Sequence, residues 1–268
     1  MVVFEVSSAE SLRDLRMRWV RILGVCVVLF VASGLIQGLA PKGPLISGAE
    51  KMEFSIDEAV LDTRAGSGLI FGILGGFRTL VADVMWLRMH EAWMDKDLAE
   101  TEALINLTVL IDPRPFTFWQ AGSHTIAFDM PVWRIRQGGG ESIMPESLQS
   151  TIREEQGLRS VRFLEQGAAI HPDDPRFPIE IGKIYLNAVK DEAKTIEYFR
   201  KAWEMPNRPY YIGRLLARVL ENAGQPREAL EVLYQDYERL PKDDPEAFIP
   251  LVLERIAELE RALGVAKG

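Results

Sequence analysis

The sequence predicts an all-α fold in which one transmembrane helix is followed by a solenoid of paired helices. Three features predict it: a long apolar run near the N-terminus, prolines that recur at nearly constant intervals, and the lack of any stretch in which apolar and polar residues alternate. Such alternation is typical of half-buried strands, whereas apolar residues spaced by three and four indicate amphipathic helices. With 268 residues and 47% hydrophobic content, the chain can also bury a sizeable core.

Residues 22–40 form the predicted membrane anchor. Ser33 and Gln37 are the only clearly polar members of this run, which as a helix would extend about 28 Å, close to the hydrocarbon thickness of a bilayer. Basic residues are concentrated before the run rather than after it, namely Arg13, Arg16, Arg18 and Arg21 against Lys42 and Lys51. Because cytoplasmic flanks carry the excess of Lys and Arg, the sequence predicts a cytoplasmic tail at residues 1–21. The rest of the chain is then expected outside the cytoplasm, on a bacterial inner membrane.

A cleaved signal peptide is the alternative interpretation of the same run. Gly38 and Ala40 have the small size expected at a cleavage site. The run is, however, longer than a usual signal core of about 7 to 15 residues. Pro41 would also become the first mature residue, where its fixed geometry suits a protease poorly. An uncleaved anchor therefore fits better.

Charge and residue types limit the classes of function. The formal net charge is -8 and the pI is near 5.1, which argues against a nucleic-acid partner, since binding phosphates needs a dense basic surface. Cys26 is the only cysteine, so the chain cannot form an internal disulfide. No nucleophile–base pair, metal-ligand spacing or phosphate loop is recognisable, and the three histidines are scattered along the sequence. An enzyme is thus the least expected class, and no cofactor or metal is predicted.

Four prolines, each following a helical pattern, reveal an internal repeat. The interval from Pro172 to Pro206 is 34 residues and that from Pro206 to Pro241 is 35. The interval from Pro113 to Pro172 is 59, which is one period plus 25 inserted residues. Regular intervals of this size are the signature of repeated helix pairs. We place the insertion near residues 131–152.

Small and aromatic side chains recur at fixed offsets within these intervals. In the last full repeat, Gly224 is expected at the turn between two helices and Ala229 where those helices approach closely. The preceding repeat has Gly182 and Tyr185 on its first helix. Its second helix has a small-aromatic-small stripe made of Thr195, Phe199 and Ala202. Together with the 34-residue period, this pattern resembles the tetratricopeptide repeat (TPR) family, although Ala217 replaces the usual glycine of the last repeat.

The TPR resemblance covers residues 81–245, after a linker at 41–80, and leaves 246–268 as a capping helix and tail. It implies an α-solenoid that binds other proteins on the surface lined by the first helix of each pair. The basic and polar side chains expected on that surface are Arg176, Lys183, Asn187, Tyr211, Arg214, Arg218 and Asn222. Their charge would suit an acidic or C-terminal segment of a partner protein. The sequence thus predicts a scaffold or adaptor in a bacterial envelope assembly, with an integral subunit of a large membrane complex as the alternative.

Two further segments have both a binding and a packing interpretation. The apolar, glycine-rich stretch Gly66–Phe77 either faces the membrane or a partner, or is buried in the protein. The insertion is expected to be a flexible surface excursion, which makes Trp133, Arg134 and Arg136 candidates for partner contacts.

Overall fold

The fold is given by a computed structural model, which describes residues 76–265. The predicted tail at 1–21, the anchor at 22–40 and the Gly66–Phe77 stretch up to residue 75 lie outside the described residues. Among the helices of residues 76–265, none has the length and apolar character needed to cross a membrane. The chain divides into two compact units, Met1–Val84 and Met85–Gly268, and the arrangement described below belongs to the second.

Within the described residues every regular element is helical. The helices are α1 (Arg78–Asp95), α2 (Leu98–Ile111), α3 (Phe116–His124), α4 (Met130–Gln137), α5 (Glu146–Ile170), α6 (Arg176–Ile184), α7 (Glu192–Glu204), α8 (Ile212–Asn222), α9 (Pro226–Arg239) and α10 (Ile249–Leu263). Two π-helical segments, Thr125–Asp129 and Tyr185–Val189, continue α3 into α4 and extend α6. A short 3₁₀ turn, Pro245–Ala247, precedes α10.

Consecutive helices pack against each other as a series of pairs. From α5 onward each helix packs against the next one in the chain, and α5 also packs against α3 and α4. Aromatic rings connect α1 to this array: Trp86 lies 5.3 Å from Phe118, and Trp93 lies 6.1 Å from Trp133, measured between ring centroids. The predicted all-α array of helix pairs is therefore confirmed for these residues.

The four repeated prolines follow the second helix of each pair at one fixed position. Helices α2, α5, α7 and α9 end at Ile111, Ile170, Glu204 and Arg239, and the prolines stand two residues later, at Pro113, Pro172, Pro206 and Pro241. A proline disfavours the helical conformation of the residue before it, so the helix stops there. The proline spacing thus located the ends of the helix pairs correctly.

The turns inside three of the pairs share a left-handed residue. Lys96, Lys190 and Gly224 have φ angles of 58°, 65° and 73°. Each stands two residues before the second helix of its pair. Gly224 confirms the predicted turn, whereas the two lysines gave no signal because lysine rarely adopts this conformation.

Close helix approach inside the pairs explains the small residues of the repeat. A Cβ atom added to Gly182 of α6 would lie 2.4 Å from the ring of Phe199 of α7, so only glycine fits there. Ala229 is fully buried, as predicted, in a core that includes Leu216, Leu220 and Leu233. The spacing of small residues therefore records the places where two helices nearly touch.

The insertion is not the flexible excursion that the sequence suggested. Residues 130–137 continue the first helix of the pair, and α5 is lengthened to 25 residues. Trp133 is only 6% exposed and packs on Trp93, so its predicted role as a partner contact is wrong. Arg134 pairs with Glu155 at 2.9 Å. Trp133 follows Met130 by three residues and Ile135 follows Pro131 by four, which is helical spacing, and burying these side chains stabilises helix rather than loop.

Candidate functional site: a basic groove between α8 and α10

Two adjoining concavities lie along helix α8, one beside the 3₁₀ turn that precedes α10 and the other beside α10 itself. One, of about 760 Å³, is lined by residues that include Arg208, Tyr211, Arg214 and Phe248. The other, of about 580 Å³, shares Tyr211 and Arg214 with it and adds Arg218, Glu221 and Arg255. We call this continuous surface the basic groove, defined by Arg208, Tyr211, Arg214, Arg218, Phe248 and Arg255.

The helical period of α8 explains why its polar side chains share one side. The helix buries Ile212, Leu216 and Leu220 in the core, at intervals of four residues. Residues 211, 214 and 218 follow the same period on the opposite face. The apolar stripe therefore fixes the direction in which the basic stripe points.

Arg214 is half-buried rather than free in solvent. Its guanidinium donates a hydrogen bond of 2.9 Å to the backbone carbonyl of Ala247 and lies 5.6 Å from the centre of the Phe248 ring. Phe248 has a left-handed φ of 51° and is 52% exposed. Arg214 is therefore not simply a solvent-facing side chain, because the 3₁₀ turn before α10 lies against it. Arg214 shapes the groove and holds this turn.

Arg218 is the exposed cation of the groove that has no internal partner. Among residues 76–265 its guanidinium makes no hydrogen bond and no ion pair, and its side chain is exposed. An arginine can form up to five hydrogen bonds in a planar fork that matches a carboxylate. Arg218 can therefore accept an external anion without breaking an internal contact.

Arg255 enters the groove from α10 and was not predicted. Its Nε donates to Glu221 Oε1 of α8 at 3.0 Å, and its guanidinium also contacts Glu258. The hydrogen bonds that Arg255 donates to Glu221 and Glu258 raise the pKa of its guanidinium above the ordinary value. The sequence indicated only that α10 caps the array. The spacing of Val252, Ile256 and Leu259 in the sequence indicates which face of α10 is buried. It does not indicate which helix lies opposite Arg255.

Arg208 closes the other end of the groove and is held firmly. It pairs with the buried Asp236 at 3.3 Å, and the indole Nε1 of Trp203 donates to the same oxygen at 3.0 Å. The Arg208 side chain is only 14% exposed and its charge is already paired. It therefore stabilises the end of the groove rather than binding an external anion.

The remaining predicted residues lie outside the basic groove. Arg176 lines a neighbouring concavity, where Asp174 binds its guanidinium at 2.6 Å and Asp173 adds a second acid. Lys183 binds Glu180 at 2.8 Å, and Asn187 donates to the carbonyl of Lys183 at 2.9 Å. Asn222 is exposed at the last position of α8. The structure thus brings together only Tyr211, Arg214 and Arg218 of the predicted set.

A second polar cluster joins the first helices of two neighbouring pairs. Glu180 of α6 is buried and accepts hydrogen bonds from Gln120 at 3.0 Å and from Lys183 at 2.8 Å. The ring Nε2 of His124 lies 3.0 Å from its other oxygen. Burial alone would raise the pKa of Glu180, but hydrogen bonds from His124 and Lys183 outweigh it and lower the pKa to about 2. No sequence signal distinguished this glutamate from the surface acids around it.

The chemistry of the basic groove is that of anion binding beside aromatic rings. Charge-assisted hydrogen bonds from guanidinium groups to carboxylates are about twice as strong as neutral ones. Tyr211 and Phe248 offer exposed ring surface on either side of the arginines. In the described part of the chain, no cluster of His, Cys, Asp and Glu side chains is arranged to hold a metal ion.

Comparison with known proteins supports a resemblance in structure rather than in sequence. No protein-family model matches the sequence, and no curated protein matches it. Among solved structures, the chain is similar to the TPR-like repeats of a protein described as a kinesin light chain from Podosopora anserina. The two share 18% identity over 70% of this chain and 88% of that chain, with a TM-score of 0.37. The assignment of helix pairs therefore rests on the helix ends, turns and packing described above.

Proposed function

We propose that the protein is a membrane-anchored scaffold that holds a partner protein by binding an acidic segment of it in the basic groove. The anchor is the apolar run at residues 22–40, and the helical array lies on the extracytoplasmic side of a bacterial inner membrane. In this proposal the array serves as an adaptor in an envelope assembly. Paired helices support it, because a helical-repeat array presents an extended binding surface to other proteins.

The observation that carries this proposal is that Arg218, in a chain of net charge -8, has no partner within the described residues. An acidic chain repels acidic partners over most of its surface, so a local group of arginines directs them to one place. Arg214 lies one turn before Arg218, and Tyr211 one turn earlier still. A carboxylate that reaches this stripe meets an available guanidinium flanked by a second cation and an aromatic ring.

Charge reversal of Arg218 tests the proposal. In a crosslinking pull-down from native membranes, Arg218→Glu should reduce captured partner at least tenfold, since an attractive charge becomes a repulsive one. Capture by the unchanged protein should also weaken as salt rises. Arg214→Glu is a poor test because it would also remove the hydrogen bond to Ala247.

Arg227→Glu is the matched control, because Arg227 is exposed on α9 outside the groove and undergoes the same change of charge. Circular dichroism should show equal helix content in both variants. Equal capture by the wild type and Arg218→Glu would reject the groove as the binding site.

An integral subunit of a large membrane complex is the second candidate. It is favoured by Leu87 and Met94, which lie seven residues apart on α1 and are 67% and 69% exposed. Large apolar side chains on one face are typical of surfaces covered by another chain. Labelling an Arg218→Cys variant with a membrane-impermeant maleimide separates the candidates. A groove that is permanently filled would leave the new thiol unlabelled in native membranes, whereas an adaptor groove would be labelled.

A further inference from the structure

Glu221 places a carboxylate of the protein itself inside the basic groove. It stands one turn after Arg218 on α8 and lines the same concavity, yet its oxygens bind Arg255 of α10. The Glu221 side chain is 14% exposed, whereas Arg255 is 45% exposed. Among residues 76–265, Arg218 is therefore without a partner, whereas Arg255, the cation that α10 contributes to this concavity, already binds a carboxylate.

We propose that Glu221 is an internal competitor that occupies Arg255 and thereby sets the selectivity of the groove. This inference rests on the proposed function, because it assumes that an acidic segment binds beside Arg218. A segment with one carboxylate binds Arg218 and leaves the Glu221–Arg255 pair intact. A segment with a second carboxylate nearby displaces Glu221 from Arg255 and gains the additional contact. Glu221 thus limits how much affinity a segment gains from a second acidic residue.

Displacing Glu221 from Arg255 has a small energetic cost, which only a segment with a second carboxylate has to meet. One carboxylate replaces another on the same guanidinium, so the number of charge-assisted hydrogen bonds to Arg255 is conserved. Glu221 must return to water, and an ion pair whose cation is nearly half exposed contributes little to stability. Removing the competitor should therefore tighten the binding of a multiply acidic segment by up to about fivefold.

Holding α10 in place is the competing explanation for the Glu221–Arg255 pair. Helix α10 is fixed independently by Val252, Ile256 and Leu259, which are at most 4% exposed. The Tyr234 hydroxyl on α9 also donates to Glu260 at 2.6 Å. A Glu221→Gln variant should therefore keep its fold, so its effect on binding can be measured.

The test uses the full chain in detergent micelles and a fluorescein-labelled peptide Glu-Glu-Trp-Glu-Glu as the probe, followed by fluorescence anisotropy. Glu221→Gln should lower the Kd of this peptide about fivefold. Glu258→Gln is the matched control, because Glu258 also pairs with Arg255 and loses the same charge but does not line the groove. It should change the Kd less than about twofold, since only the overall charge differs. The neutral peptide Gln-Gln-Trp-Gln-Gln should bind neither variant.

A double-variant cycle then tests whether Arg255 mediates the effect. In an Arg255→Gln background, Glu221→Gln should no longer strengthen binding. Equal strengthening by Glu221→Gln and Glu258→Gln, or an effect that persists without Arg255, would overturn the competitor role alone. If Arg218→Glu leaves the probe affinity unchanged, or if no form binds the acidic peptide, the proposed groove itself is wrong and the inference falls with it.

Discussion

Glu180 is a buried carboxylate that links two neighbouring helix pairs. Its three hydrogen-bonding partners are Gln120 and His124 on α3 and Lys183 on its own helix. A buried charge is tolerated only when such partners replace its hydration. The cluster therefore contributes to the contact between α3 and α6 as long as Glu180 stays ionised.

The first prediction concerns the stability of this cluster as a function of pH. Because the folded pKa of Glu180 is about 2, below the ordinary value of 4.5, ionisation favours the folded state. The resulting stability is fully present above pH 4.5 and is lost as the pH falls toward 2. Glu180→Gln should lower the free energy of unfolding at neutral pH by about 1 to 3 kcal/mol and flatten its pH dependence in this window.

Chemical denaturation at a series of pH values measures both effects. Glu197→Gln is the control, since Glu197 is an exposed acid whose partner, Lys194, lies on the same helix. This variant should keep the slope of the wild type. If Glu180→Gln and the wild type showed the same pH dependence of the unfolding free energy, another group would be the cause of the loss of stability in acid.

At the scale of elements, three helix pairs use the same left-handed turn with different residues. Gly224 has a φ angle of 73°, and no atom lies within 4 Å of the position that a Cβ atom would take. A side chain at this position would therefore strain the backbone without a steric clash. Lys190 carries that strain already at φ of 65°. For a residue other than glycine, this conformation costs roughly 1–2 kcal/mol.

The second prediction concerns substitutions at two of these turn residues, Gly224 and Lys190. Gly224→Ala should lower the free energy of unfolding by about 1 kcal/mol, because alanine is strained where φ is positive. Lys190→Gly should raise it by up to about 1 kcal/mol, since relief of strain exceeds the entropy that glycine loses on folding. Denaturant midpoints measure both. A neutral Gly224→Ala would show that this turn does not need the left-handed conformation.

At the scale of the whole molecule, the third prediction concerns the side of the membrane on which the array lies. The four arginines before Ile22 predict that the chain beyond the apolar run is extracytoplasmic. An alkaline phosphatase reporter fused after Gly268 should therefore be active, because this enzyme folds only outside the cytoplasm, and the fusion should stay with washed membranes.

Two outcomes would contradict this arrangement separately. Activity of a cytoplasmic reporter at the same position, with an inactive phosphatase, would reverse the orientation. Release of the active fusion in soluble form would favour the cleaved signal peptide that Gly38 and Ala40 allow.

The sequence by itself determined the helix pairs and their boundaries. Pro113, Pro172, Pro206 and Pro241 end helices through local backbone geometry, and periodic apolar residues mark the faces that are buried. Both effects act within a few residues along the chain. The same local period put Tyr211, Arg214 and Arg218 on one side of α8, which is the part of the site that was predicted.

Only the tertiary structure decided which side chains meet across helices. Arg255 reaches Glu221 because it lines the same concavity as α8, Glu180 is buried where α3 supplies its hydrogen-bonding partners, and Trp133 packs on Trp93. A sequence states which face of a helix is apolar but not which neighbour lies against its polar face. Arginines that look equivalent in the sequence therefore differ once the helices are packed: Arg255 is paired across helices, whereas Arg218 has no partner among residues 76–265.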